Sequence, residues 1–245
     1  MRVLVVIPTY REAENIGALL RQLREVVPDA YLLVVDDASD DGTNEVARAV
    51  GSVLGNVEVL ERPVKDGLGR AYRAGFSWGL TRGYEVLVSM DADFSHDPAA
   101  LPGLLAAVGA GADLVIGSRY VPGGSIPDWP AYRRALSRYG NRYASFVLGL
   151  DISDMTSGYR AYRADALTTL YRREVKTGGY GALIEMAYRV AGAGAVVTEV
   201  PISFVDRQLG QSKMSGAIAL ETLWHVTRMG VTDRLRRASA RRAPA

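Results

Sequence analysis

Short runs of consecutive apolar residues, rich in β-branched side chains, alternate along the first half of the chain with longer segments whose apolar residues recur every three or four positions. The continuous runs are VLVVIP, YLLVVDD, VEVLER, YEVLVSMD and ADLVIGSR. A strand covered on one face alternates apolar and polar residues, whereas one covered on both faces has no polar side to show. These runs therefore predict strands buried front and back, as in a parallel sheet. Between them, EAENIGALLRQLREVV, DGTNEVARAVGSVL, GLGRAYRAGFSWGLTR and DPAALPGLLAAVGA carry helical periodicity. The β-α-β-α rhythm predicts an α/β fold with a mostly parallel central sheet covered by helices. After about residue 120 the pattern loosens into a Gly/Pro loop, VPGGSIPDWP, then helices and one later strand candidate, AVVTEVPISFVD.

Composition narrows the function classes. The 245 residues are 48% hydrophobic and 23% charged, which is enough apolar material for a full core. A formal net charge of +2 is too small to argue for nucleic acid as the main ligand, and none is expected, although the last stretch, RMGVTDRLRRASARRAPA, concentrates arginine. Without cysteine there is no disulfide framework, thiolate metal site or cysteine nucleophile. The apolar run in MRVLVVIPTY is too short for a secretory signal, and no run of about 18 apolar residues predicts a membrane span. The expected location is the cytoplasm.

Ligands of open α/β sheets bind beyond the carboxyl ends of the strands, so the residues following each run matter most. PTYRE follows the first, without the G-x-G-x-x-G of dinucleotide enzymes. In DDASDDGT, after the second, Asp40, Asp41 and Gly42 read equally well as a turn and helix cap or as ligand contacts. An EF-hand is excluded, because counting from Asp37 puts Arg48 where the bidentate glutamate belongs. KDGLGRA follows the third, a glycine turn opening a helix, and Arg119 follows the fifth.

The fourth run ends in SMDADFSHDP. Asp91 and Asp93 repel one another and resist burial unless something positive joins them. Hard oxygens suit Mg²⁺ or Mn²⁺, and Mg²⁺ takes only one or two carboxylates when phosphates and water complete its shell. A nucleotide diphosphate with a divalent ion answers the pair; turn and cap residues ahead of Pro98 are the alternative.

In order, VVIPTYREAENI, VVDDASDDGT, GLGRAYRAGF, MDADFSHDP, GSRYVPGG, DMTSGYRAYR and VPISFVDRQLGQSK resemble the inverting family 2 glycosyltransferases, specifically the dolichol or polyprenol phosphate mannose synthases. The likeness runs from about residue 2 to residue 213. It implies a nucleotide-sugar-binding Rossmann-like sandwich of GT-A type over residues 1–213, with residues 214–245 as a C-terminal amphipathic helix and basic tail. It further implies that Pro8, Tyr10, Glu12, Val35 and Asp37 line the nucleotide pocket, that Asp91 and Ala92 meet the nucleotide sugar, and that Asp93 holds the metal. Arg119, Arg207 and Lys213 match positive positions facing the donor or the lipid phosphate, and Arg133 and Ser137 match an acceptor-phosphate patch. The implied reaction moves mannose from GDP-mannose to a polyprenyl monophosphate with inversion. UDP-glucose or another donor, or a non-catalytic nucleotide-sugar scaffold, are the alternatives.

Two departures stand out. Ser95 replaces a glutamine of some relatives, and ALIEMAYR offers only Glu185 where many family 2 enzymes carry an acidic base. The second makes chemical sense, since a phosphate monoester with a second pKa of about 6 is already dianionic at neutral pH and needs no base. In MSGAIALETLWHVTRMGV, Glu221, His225 and Arg228 fall on one helical side and Leu220, Leu223, Trp224 and Val231 on another. Such a helix with a basic tail suits either an anionic membrane surface or packing on the domain. Relatives carry C-terminal transmembrane helices or use a membrane partner. The resemblance therefore implies a peripheral enzyme on the cytoplasmic face, with a separate membrane-embedded anchor protein resembling an apolipoprotein N-acyltransferase.

Overall fold

A computed structural model describes residues 1–171, 179–205 and 222–232. The elements run β1 (Val3–Thr9), α1 (Ala13–Val26), β2 (Tyr31–Asp36), α2 (Thr43–Leu54), β3 (Val57–Glu61), α3 (Leu68–Thr81), β4 (Val86–Ser89), a short 3₁₀ turn (Pro98–Ala100), α4 (Leu101–Gly109) and β5 (Leu114–Ser118). There follow α5 (Ala131–Leu148), β6 (Arg160–Arg163), α6 (Ala164–Tyr171), α7 (Gly179–Gly192) and β7 (Val197–Pro201). Residues 222–232 form a last described helix.

Among the described residues seven strands lie in the order β3-β2-β1-β4-β6-β5-β7. All pairings are parallel except those of β6, which runs antiparallel between β4 and β5. Alternation within each strand sorts the core into two layers. Val3, Val5 and Ile7 of β1 join Leu32 and Val34 of β2 against α1, α2 and α4. Leu4, Val6, Leu33 and Val35 face α3, α5, α6 and α7. Two glycines bring α3 close: a Cβ on Gly75 would lie 2.3 Å from Val6 Cγ1, and one on Gly79 would lie 2.5 Å from Leu4 Cδ2.

The five strands and four helices expected in the first half are all present, and β7 falls within the later strand candidate. Two features differ from the reading of the sequence. The third run, VEVLER, forms an edge strand that is only half covered, because among the described residues no strand pairs with its outer side. The segment Arg160–Arg163 is a strand despite carrying two arginines. Arg160 is fully buried, but its guanidinium donates to the carbonyls of Ser157, Leu183 and Met155 at 2.8, 2.7 and 2.7 Å, so it fills the core without stranded donors.

The chain reverses its direction of travel across the sheet between β1 and β4. The crevice at such a switch point, outside the carboxyl ends of the strands, is where open α/β sheets hold ligands.

Candidate active site

The loop after β2 is built around Asp36. Its carboxylate accepts from Thr9 Oγ1 at 2.8 Å, from the Ser39 N–H and hydroxyl at 2.8 and 2.6 Å, and from Asn44 Nδ2 at 3.1 Å. This holds Ala38 in the left-handed region at φ 57°. Asp41 accepts from the Ala13 N–H at 3.2 Å and from the Thr43 hydroxyl at 2.6 Å, while Thr43 Oγ1 takes the Glu12 N–H at 2.9 Å. Arg11 pairs with Asp40 at 2.7 Å, and Gly42 turns at φ 90°. Of the two readings open for Asp40, Asp41 and Gly42, the structure supports the turn and cap, which closes the start of α1.

Asp37 points away from that turn. It pairs with Arg62 and accepts the Asp66 and Gly67 N–H groups at 3.1 Å each, fixing the approach to α3. Pro8 and Tyr10 stand beside it at the end of β1, with the Lys65 ammonium 3.4 Å from the centre of the Tyr10 ring. Glu12 is half-buried and takes the Asn15 side chain at 2.8 Å. The Val35 side chain is fully buried beneath α3, so it serves the core and leaves only its main chain near this edge.

At the end of β4, Asp91 is aligned from two sides. Tyr72 on α3 donates its hydroxyl to Oδ1 at 2.8 Å, and the Asp91 N–H donates to His96 Nδ1 at 3.1 Å. Burial and the charge of Asp91 push the Tyr72 hydroxyl far above its ordinary range, so it remains a donor. Burial lowers the His96 pKa against the opposing pull of Asp91 and Asp93, which keeps Nδ1 available as an acceptor. Asp93 is buried, as is Ala92 between the two aspartates, and Oδ1 of Asp93 accepts the Ser95 N–H and hydroxyl at 3.1 and 2.6 Å. These bonds support Phe94 at φ 60°. Ser95 thus has a defined part, orienting Asp93.

Among the described residues, no group of three or more His, Asp or Glu side chains is arranged as a metal cage. The donor chemistry fits a hard divalent ion held by Asp93, with Asp91 close by in the chain and phosphate and water oxygens completing the shell.

Arg119, just past β5, is buried and meets Asp154 fork to fork: Nε and Nη2 donate to the two carboxylate oxygens at 2.7 Å each, and its own N–H adds a bond of 3.0 Å. Burial pushes the Asp154 carboxyl up, but the charge and hydrogen bonds of Arg119 outweigh it and hold the pKa below the ordinary value. Nη2 also reaches Thr156 Oγ1 at 2.8 Å, and Asn141 of α5 bonds the same hydroxyl at 3.1 Å. Tyr120, Trp129 and Phe204 surround the guanidinium at 5.3–5.6 Å, measured to their ring centres. Phe204 also packs on His96, which connects Arg119 to the Asp91 turn through one aromatic contact.

Arg119 and Tyr120 line a cleft of about 380 Å³ whose other wall includes Arg134, Arg138 and Tyr139 of α5. Ser137 borders it by accepting the Tyr120 hydroxyl at 2.7 Å. Arg133 turns instead onto the face of Trp129, 3.8 Å from the ring centre. Reading the sequence put the acceptor patch at Arg133 with the neighbouring Arg134 as the other register, and it is Arg134 that lines the cleft; it missed Arg138, Tyr72, His96 and Asp154. The four-residue spacing of Arg134 and Arg138 was the available signal, since it places both on one helix face. Glu185 lies on α7 and pairs with Arg189. Arg207 and Lys213 lie outside the described residues, as do Leu220, Glu221 and the basic tail from residue 233.

A three-layer α/β domain with acidic and arginine side chains at the carboxyl edge of its switch point has them where open α/β sheets hold ligands. Solved glycosyltransferases share the fold. Glucosyl-3-phosphoglycerate synthase from Mycobacterium tuberculosis superposes with a TM-score of 0.66 at 20% identity, covering 92% of this chain and 78% of its own. Mannosyl-3-phosphoglycerate synthase from Rubrobacter xylanophilus gives 0.63 at 20% identity, covering 100% and 77%. At that identity the likeness concerns the fold alone. The sequence profile of glycosyl transferase family 2 matches residues 4–171, and the chain belongs to that family, in the group of the polyprenol and dolichol phosphate mannose synthases. Its relatives include an undecaprenyl-phosphate mannosyltransferase of Micrococcus luteus, 52% identical over 96% of both chains. A polyprenol monophosphomannose synthase of Mycolicibacterium smegmatis is 48% identical over 97% of this chain and 90% of its own. A dolichol-phosphate mannosyltransferase of Pyrococcus furiosus is 35% identical over 96% and 66%.

Proposed function

We propose that this enzyme transfers mannose from GDP-mannose to the phosphate of a polyprenyl monophosphate, with inversion at the anomeric carbon and with Mg²⁺ or Mn²⁺ held by Asp93. The observation that carries the reading is the arginine-walled cleft of Arg119, Arg134 and Arg138 on the same sheet edge as Asp91 and Asp93. An anionic acceptor and a diphosphate leaving group repel one another, and positive side chains between them remove that barrier.

A phosphate oxygen of the acceptor attacks the anomeric carbon from the side opposite the diphosphate, a new C–O bond forms, and the bond to the diphosphate oxygen breaks. No proton need move, because the acceptor is dianionic and the leaving diphosphate departs as an anion. That agrees with Glu185 being engaged by Arg189. Asp91, fixed by Tyr72 and His96, orients the sugar, and Arg119, fixed by Asp154, presents positive charge to the converging phosphates. In this reading Arg207 and Lys213 add to that charge, and Arg133 and Ser137 bound the acceptor side. The names of the relatives support mannose and a polyprenyl acceptor.

We place the enzyme at the cytoplasmic face of the membrane, where a separate membrane-embedded anchor protein holds it. None of the described helices is long and apolar enough to cross a bilayer. Purified protein with Mg²⁺, polyprenyl phosphate and labelled GDP-mannose or UDP-glucose in parallel tests the reaction. Label enters the organic phase from GDP-mannose; label from UDP-glucose alone replaces the donor, and label from neither overturns the proposal.

A further inference from the structure

The turn after β3 closes on a single carboxylate. Asp37 takes the Arg62 guanidinium on Oδ1 and the N–H groups of Asp66 and Gly67 on Oδ2, so both ends of the loop 62–67 are tied to the same side chain. The Arg62 N–H adds a bond of 2.8 Å to the Asp36 carbonyl, and Gly67 turns at φ 90° into α3. Between those ties Pro63, Val64 and Lys65 are exposed, and the Lys65 ammonium lies 3.4 Å from the centre of the half-buried Tyr10 ring. Two other cations stand at this corner. Arg11, 5.5 Å from the same ring centre, gives Nε and Nη2 to the two oxygens of Asp40, and Arg62 is engaged by Asp37. Lys65 pairs with no carboxylate among the described residues. A clamped loop thus presents one unneutralised ammonium beside an aromatic face.

Position along the sheet decides which part of a ligand meets that corner. Asp93 follows β4 and Lys65 follows β3, with β1 and β2 between them. Three strand spacings of about 4.8 Å put the two about 14 Å apart along the carboxyl edge. A diphosphate held near Asp93 leaves its nucleoside to extend past β1 and β2, and the base is the part that reaches Tyr10 and Lys65. The tyrosine ring offers a face for stacking, and the ammonium offers donors only. Guanine presents two acceptors, O6 and N7, side by side on one edge. Adenine has an amino donor in place of O6, and uracil has one acceptor on the corresponding edge. A group that can only donate favours guanine.

We infer that Lys65 selects the base of the donor: its ammonium donates to O6 and N7 of a guanine stacked on Tyr10, and so separates GDP-linked sugars from UDP- and ADP-linked ones. Resting on the GDP-mannose reading, this assigns the choice of base to one side chain. The four-carbon stem lets the ammonium pass from the face of the ring to its rim as the base arrives, while the Asp37 clamp holds the loop in place.

Calorimetric titration of the full chain with GDP, UDP and ADP, each with Mn²⁺, tests it. The wild type binds GDP about tenfold or more tighter than UDP or ADP. Lys65→Met keeps an apolar stem and removes the donors, so GDP affinity falls about tenfold while UDP and ADP shift by less than about twofold. Lys65→Arg, whose guanidinium also suits O6 and N7, retains the preference. Lys65 is exposed, so both variants fold, which matching melting curves verify. In the transfer assay Lys65→Met raises KM for GDP-mannose and leaves kcat within about twofold, because the contact is made equally in the ground and transition states. An equal fall for all three nucleotides overturns the inference and makes Lys65 a general attractor of anions. A GDP preference that survives Lys65→Met also overturns it, while the donor reading stands. Wild-type protein that prefers UDP or ADP overturns the donor reading itself, and the guanine assignment with it.

Discussion

Replacing Asp154 by Asn tests the idea that Arg119 is held in place by one buried countercharge. The two side chains are 5% and 0% exposed. Three hydrogen bonds join them, at 3.0, 2.7 and 2.7 Å. Asparagine keeps one oxygen, enough for the Arg119 N–H and Nε, but sets its amide N–H₂ against Nη2 and leaves a buried guanidinium without its anion. Breaking a buried pair from one side costs about 3–5 kcal/mol, and the surviving oxygen puts this variant near 3. For a domain of this size that is a fall in melting temperature of about 6–12 °C by calorimetry or near-ultraviolet dichroism. Arg119→Leu alone also destabilises, by stranding Asp154. The double variant Arg119→Leu/Asp154→Asn therefore costs less than the sum of the singles by about 2 kcal/mol or more. The carboxyl is held below its ordinary value in the folded protein, so its stabilisation is complete above pH of about 4 and is lost as pH falls through the folded pKa. Asp154→Asn flattens that acid limb. A melting temperature within about 2 °C of wild type, or strictly additive singles, refutes the argument.

Asp93→Ala leaves a folded protein whose transfer rate falls by about 10²-fold or more, and loss of its response to added Mg²⁺ or Mn²⁺ in the radiolabel assay is the accompanying sign. His96 is buried with a lowered pKa, so it contributes stability above the unfolded value of about 6.5 that is lost as pH falls below it. His96→Asn keeps an acceptor for the Asp91 N–H and removes that slope, as urea midpoints between pH 7 and about 5 will register. Gly79→Ala drives a Cβ to within 2.5 Å of Leu4 Cδ2 and 2.7 Å of Leu87 Cδ2. It lifts α3 and destabilises by about 1–3 kcal/mol in denaturant titrations.

The parts of this fold that were legible in the sequence are those with one-dimensional signatures. Continuous apolar runs gave strands because both sheet faces are covered, and helical spacing gave α1 to α4. The edge position of β3 was hidden, since burial of an outer strand depends on neighbours its own sequence cannot name. The strand Arg160–Arg163 was hidden for a different reason: its buried guanidinium is satisfied by carbonyls from residues 155 to 183, a non-local solution with no local pattern.

The same division runs through the site. Asp91, Asp93 and Arg119 follow strands and could be found by that rule alone. Their partners could not, because Tyr72 and Asp154 arrive from α3 and from the loop before β6. Those partners change what the site residues are. An isolated arginine after a strand reads as a mobile cation, whereas Arg119 has two of its guanidinium nitrogens committed to Asp154 and three aromatic rings around it. Its guanidinium is fixed in direction before any ligand arrives, and in the proposed reaction that lets its charge act without reorganisation. The cost of that rigidity is a buried acid whose loss should cost folding energy as well as rate, and so the pair couples the stability of the domain to the alignment of its chemistry.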